Sequence, residues 1–186
     1  KKMFLIYDLF FLIFALFYFP FALVTGKVHR GFWLRLGFLP VSLRTALARK
    51  PNIWFHAVSV GEVMAVVPLI QEVKHSYPGH QIVLSTVTQT GYRVAKERLA
   101  ADDIVFYAPF DLSFITRHWA ALIQPEIYIT AETEIWPNIF LALARQQVPV
   151  LLVNGRISER TFSRNQKVRA LRLPALKAVT GFCMQP

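Results

Sequence analysis

IWFHAVSVGEVMAVVPLI, residues 53–70, changes character halfway along. Residues 53–57 form a short, mostly apolar run of the kind found in strands buried on both faces. Ser59 and Gly61 interrupt it, and apolar residues at helical spacing follow from residue 63. A strand that turns directly into a helix predicts one βα unit of a parallel sheet.

The alternation repeats downstream. Apolar, β-rich runs recur at 82–86, 104–107, 127–130, 150–153 and 179–184, with helical spacing at 63–76, 92–100, 112–122, 138–147 and 165–173 between them. This pattern predicts an α/β fold, a Rossmann-like doubly wound parallel sheet, as one domain over residues 52–186. Ligands of such sheets bind beyond the carboxyl ends of the strands, so chemistry is sought in the loops that follow each strand.

Upstream, MFLIYDLFFLIFALFYFPFALV at residues 3–24 is almost wholly apolar. As a helix it reaches roughly 33 Å, enough to cross a bilayer core. Residues 1–25 are therefore expected to be a membrane anchor, spanning or deeply inserted. A helix lying in the interface is the alternative, although the run lacks a polar face. It is too long for a cleaved signal peptide. Asp8 is expected at the interface and Pro20 near a kink. Residues 26–51 mix Phe32, Trp33 and Phe38 with arginines, as a segment lying against head groups would; packing against the domain explains them equally well.

Charge supports a membrane neighbour. The 186 residues carry a formal net charge of +10, with 54% hydrophobic and 17% charged residues. No acid stands between Asp8 and Glu62, whereas Lys27, Arg30, Arg35, Arg44, Arg49 and Lys50 do. A second basic stretch runs from Arg156 to Lys177 with Glu159 as its only acid. An anionic membrane surface fits this distribution, and the lysines and arginines after the apolar run place the domain on the cytoplasmic side. Nucleic acid is not expected, because no stacking motif or recognition helix accompanies the charge. The lone Cys183 excludes a disulfide framework and reads as a buried thiol.

Four loops carry unusual residues. After the first strand, Ser59 and Glu62 have the spacing of a capping box; against that, Gly61 in the first helical turn suits a backbone approached by a ligand. After the second, Thr88, Thr90 and Gly91 precede a helix; this is an ordinary polar loop capped by Thr90 or a set of hydroxyl and amide donors for a ligand. The loop has no Walker lysine. After the fourth, Glu132 and Glu134 flank Trp136 and Pro137, as a helix start would, or as a sugar site with two carboxylates and an apolar ring face. After the fifth, Asn154, Gly155 and Arg156 offer an amide, a turn and a guanidinium suited to phosphate.

In order along the chain, HAVSVGE (56–62), Thr86 to Gly91, Pro109-Phe110-Asp111, ETEIWPN (132–138) and NGRIS (154–158) resemble the amino-terminal half of the 3-deoxy-D-manno-octulosonic acid (Kdo) transferases. Arg35-Leu36-Gly37-Phe38 and the apolar segment before it resemble that family's start. Gly155 departs slightly, since alanine is common there.

The resemblance implies the acceptor-binding half of an inverting, two-domain GT-B glycosyltransferase. Such an enzyme moves Kdo from CMP-Kdo to a lipid A precursor (lipid IVA) at the cytoplasmic face of the inner membrane. It implies Glu62 as general base. Ser59, Gly61, Thr88, Thr90, Glu132, Glu134, Trp136, Asn154 and Arg156 would be the acceptor-binding set. No metal and no cofactor are expected, since the leaving group is a nucleoside monophosphate. The donor would be held mainly by a carboxyl-terminal domain beyond Pro186, so this stretch alone is expected to be inactive. Another GT-B lipid glycosyltransferase and a non-catalytic, membrane-attached lipid-binding module remain the alternatives.

Overall fold

A computed structural model describes residues 2–24, 31–132, 135–155 and 169–185, with side chains in the first and last helices described for 5–20, 24 and 173–176. The strands are β1 (Asn52–His56), β2 (Gln81–Thr86), β3 (Ile104–Tyr107), β4 (Pro125–Ala131), β5 (Val150–Gly155) and β6 (Gly181–Met184). The helices are α1 (Lys2–Val24), α2 (Phe32–Arg35), α3 (Val41–Leu47), α4 (Val60–Ser76), α5 (Gln89–Arg98), α6 (Ser113–Ile123), α7 (Pro137–Arg145) and α8 (Arg169–Leu176). Each expected strand and helix of the domain is present, with ends shifted by up to three residues; the expected start of the last helix, 165–168, lies outside the described residues. Helix α4 runs through Pro68.

The strands form one sheet in the order β3-β2-β1-β4-β5-β6, and every pairing is parallel. Chain order reverses between β1 and β4, which places the switch-point crevice of a doubly wound sheet beside the loops that follow those two strands.

Side chains alternate across the sheet because the strand period is two. Ile53, Phe55, Ile82, Leu84 and Ile129 bury one face against Val63, Val66 and Ile70 of α4 and Ala95 of α5. Trp54, Val83, Phe106 and Tyr128 bury the other against Ile115 and Trp119 of α6 and Phe140 and Leu143 of α7. That second face is aromatic: Trp119 stacks on Phe106 with centroids 4.5 Å apart, and Trp54 meets Tyr128 edge-on at 4.9 Å.

The residues before the domain divide their faces between it and the outside. Leu39 and Leu47 enter the second core, while Trp33, Phe38 and Val41 stay exposed. Helix α1 presents a partly covered stripe at a spacing of four, Tyr7, Phe11, Ala15 and Phe19. Phe11 meets Phe110 at 6.0 Å and Phe19 stacks on Phe32 at 5.1 Å. Leu5, Leu9, Phe10, Phe14, Leu16 and Phe17 point away and are exposed. Among the described residues no helix is long and apolar enough to cross a membrane.

Two expectations are corrected. Asp8 does not lie at an interface with solvent or head groups: it is buried and hydrogen-bonded to the domain, because an apolar helix that docks side-on carries its one acid to polar partners. Cys183 is exposed, since β6 is the edge strand of the sheet and its residues 182–185 are uncovered.

Candidate active site

The loop between β1 and α4 is built from its own residues. Ser59 is extended at φ −118° and caps α4, its hydroxyl oxygen accepting from the Glu62 amide at 3.4 Å. Glu62 returns the contact: one carboxylate oxygen accepts from the Val58 amide at 2.7 Å and the other from the Ser59 hydroxyl at 3.0 Å. The capping geometry expected from spacing is therefore real, displaced by one residue at the Glu62 end.

It does not use up the carboxylate. Two oxygens offer about four lone-pair positions, and Val58 and Ser59 occupy two of them. Glu62 is only 5% exposed. Burial pushes its acidity constant up, the Val58 and Ser59 bonds oppose that, and the negative charge of Glu132 adds to the rise. Such a carboxylate is better suited to taking a proton than an ordinary surface glutamate. Beside it, a side chain placed at Gly61 would meet nothing closer than Ser59 Oγ at 3.9 Å, so the helix start faces open space.

The loop after β2 packs against this one. Thr88, and not Thr90 as the spacing suggested, caps α5 by accepting from the Gly91 amide at 3.0 Å, because the helix already starts at Gln89; the Thr86 and Thr88 hydroxyls both donate to the Val58 carbonyl, at 3.1 and 3.2 Å. Gly91 is required here: a Cβ would lie 2.7 Å from Thr86 Oγ1 and 2.8 Å from Thr88 Oγ1. Thr88 thus braces the carbonyl four residues before Glu62, while Thr90 is exposed on the first turn of α5.

On the far side of the crevice, Glu132 is exposed at the end of β4 in a left-handed conformation, φ 57°, with its amide donating to the Val153 carbonyl at 2.8 Å. Asn154, at the end of β5, has φ 57° as well, and its side chain accepts from Gln185 Nε2. Among the described residues four non-glycines are left-handed: Glu132 and Asn154 at strand ends on this edge, and Gln124 and Gln147 after helices at the opposite edge. Trp136 is partly exposed at the start of α7. Glu134 and Arg156 lie outside the described residues.

Between the two sides, the sheet has a polar floor. His56 sits in register with Ser85 on β2 and Thr130 on β4. Its Nδ1 is 2.9 Å from Ser85 Oγ, which also accepts from Trp54 Nε1 at 2.8 Å. Burial, reinforced by the Arg35 charge, pushes the His56 acidity constant down to about 4, so the ring is neutral at pH 7. Its Nε2, the Thr130 hydroxyl and Trp136 Nε1 are buried without a partner among the described residues. His56 and Trp136, ring centroids 6.0 Å apart and nearly perpendicular, line a cavity with about 10 Å³ for the centre of a water molecule. Arg35 donates to the Ala108 carbonyl at 2.9 Å and lies 4.2 Å over the Phe110 ring, its acidity constant lowered to about 10 by burial and the group still charged.

The structure therefore brings Ser59, Gly61, Glu62, Thr88, Thr90, Glu132, Trp136 and Asn154 to the carboxyl edge of one sheet, on both sides of its switch point. Sequence reasoning named neither His56 nor Arg35, Asp111 or Asn138 as site residues. Each stood inside a quoted motif, but their polar contacts join distant segments. Asp111 is 27 residues from Asn138.

The chain is 36% identical over 119 residues to the 3-deoxy-D-manno-octulosonic acid transferase of Haemophilus influenzae, a match covering 64% of this chain and 28% of that protein. It is 27% identical over 164 residues to the enzyme of the same name from Chlamydia pneumoniae, covering 88% of this chain and 37% of that one. The chain thus spans between about a quarter and little more than a third of the length of such relatives. Among solved structures, Acinetobacter baumannii MurG superposes with a TM-score of 0.52 at 10% identity, over 73% of this chain and 41% of MurG, which shows a shared Rossmann-like α/β fold. Residues 30–186 match the family model described as 3-deoxy-D-manno-octulosonic-acid transferase, and the chain belongs to that family.

Proposed function

We propose that this chain is the acceptor-binding half of an enzyme that transfers Kdo from CMP-Kdo to a lipid A precursor, lipid IVA, with inversion. The observation that carries the reading is Glu62. It is a mostly buried carboxylate at the switch point, with raised acidity constant and lone pairs left for a substrate hydroxyl. As the acceptor hydroxyl attacks the anomeric carbon, the C–O bond to CMP breaks and the hydroxyl proton passes to Glu62. CMP leaves as a monophosphate, so the reading calls for no metal and no cofactor.

Trp136 supplies an apolar face for a sugar ring, with Glu132 and Glu134 accepting from hydroxyls. Asn154 and Arg156 would meet acceptor phosphates. Ser59 and Thr88 hold the base and its loop in place; Gly61 and Thr90 flank the space that the acceptor enters. The donor would be bound mainly by a second domain of the complete enzyme.

The exposed apolar face of α1, continued by Trp33, Phe38 and Val41, supports attachment to the inner membrane at its cytoplasmic side. Arg44, Arg49 and Lys50 in the adjoining segment would face anionic lipid head groups.

The test is Glu62→Gln in the complete enzyme, assayed for Kdo transfer to lipid IVA. Gln keeps an acceptor for the Val58 amide but cannot take the proton, so kcat is expected to fall by about 10²–10⁴. Near-normal turnover by a folded variant would remove Glu62 from this role.

A further inference from the structure

We propose that Asp8, the one acidic residue of the apolar helix α1, is a positioning residue for the acceptor loop. It ties the lipid-facing helix to the start of α7, directly behind Trp136. The inference rests on the reading of Trp136 and its loop as the acceptor site.

An acid in an otherwise apolar helix is costly unless its oxygens find partners. Asp8 finds them in two elements of the domain. It accepts from Asn138 Nδ2 at 2.8 Å and from the Ser113 amide at 3.2 and 3.4 Å. One residue earlier, the Tyr7 hydroxyl donates to Asp111 Oδ2 at 3.1 Å. Asn138 Nδ2 donates in addition to the Asp111 carbonyl at 2.7 Å, and the Asp111 carboxylate accepts from the amides of Asn138 and Ile139 at 3.2 and 2.9 Å.

Asn138 is therefore gripped by its side chain from α1 and by its backbone from Asp111. It is the second residue of α7, two residues after Trp136. The residue at the N-cap position, Trp136 itself, makes no capping bond. Where α7 begins, and with it where the Trp136 ring sits, is set by this cluster. The aromatic stripe of α1 would be enough to dock the helix through apolar contact; the carboxylate adds direction, because a hydrogen-bonded pair fixes the position along the helix as well. An acceptor whose acyl chains lie along the outer face of α1 and whose sugar meets Trp136 would then be read by one mechanically continuous unit.

The experiment uses the complete enzyme in phosphatidylethanolamine–phosphatidylglycerol vesicles. In Asp8→Ala, KM for lipid IVA is expected to rise about tenfold, with kcat and KM for CMP-Kdo within about twofold and vesicle flotation unchanged. Tyr7→Phe, which removes one hydroxyl and no packing, gives a smaller rise of about threefold in the same constant. In both, hydrogen exchange at the Asn138 and Ile139 amides speeds up while that of β1 does not. If Asp8→Ala does not fold, Tyr7→Phe decides alone.

An unchanged acceptor KM, an equal loss for both substrates, or a loss of flotation overturns the proposal. Failure of the underlying reading is distinct: an enzyme that transfers no Kdo, or one that Glu62→Gln leaves active, overturns that reading. The tie between α1 and α7 is then still decided by hydrogen exchange.

Discussion

Two helices begin at the switch point, and they are held in opposite ways. The start of α4 is self-contained: Ser59, Val58 and Glu62 satisfy one another across no more than four residues. Among the described residues the start of α7 has no local cap. Its amides are met by Asp111, 27 and 28 residues away, and its Asn138 side chain by Asp8, 130 residues away. A local cap forms as soon as the helix does. A remote cap forms only once the sheet, α6 and α1 are all in place. The base is thus carried on the element that needs least from the rest of the fold, and the proposed acceptor loop on the one that needs most.

Removing the remote cap should hurt most. Asp111→Ala leaves two buried amides and the Tyr7 hydroxyl without their acceptor, and unfolding at pH 5 should become easier by about 3 kcal/mol. Denaturant titration of the complete enzyme measures it, and a loss below about 1 kcal/mol would mean that α7 finds another cap.

The same residue makes the comparison pH-dependent. Burial raises the Asp111 acidity constant from 3.8 to about 6 against the hydrogen bonds from Asn138, Ile139 and Tyr7, with Asp8 adding to the rise. A carboxyl raised on folding contributes stability that is complete below about pH 4 and lost as pH climbs through about 6. Between pH 4 and 7 the native protein should lose about 2–3 kcal/mol relative to Asp111→Asn. Parallel stability curves for the two proteins would refute this.

The local cap should matter least. Ser59→Ala removes one acceptor and one donor at an accessible helix start, for about 1 kcal/mol. It should also raise the Glu62 acidity constant further, because a bond to the charged form is lost. A shift of the acid limb of the kcat profile to higher pH is the readout.

Much of this molecule was legible before any coordinates. The strand and helix alternation, the glycine at 91 and the Ser59–Glu62 pair are read from neighbours in sequence. The differences lie at long range: Asp8, expected at an interface, is buried, and Cys183, expected to be a buried thiol, is exposed. His56 was visible as part of HAVSVGE, but its neutral state comes from burial together with Arg35, a residue from another segment.

By itself, the sequence determined the parallel α/β sheet, the edge that carries the loops and the local cap at Ser59, because strand and helix periods and capping spacings are short-range patterns. Only the tertiary structure decided that His56, Ser85 and Thr130 share one face, that Asp111 caps α7, and that an acid in an apolar helix reaches Asn138. Those contacts depend on register and on helix docking, which bring together residues that no local spacing relates.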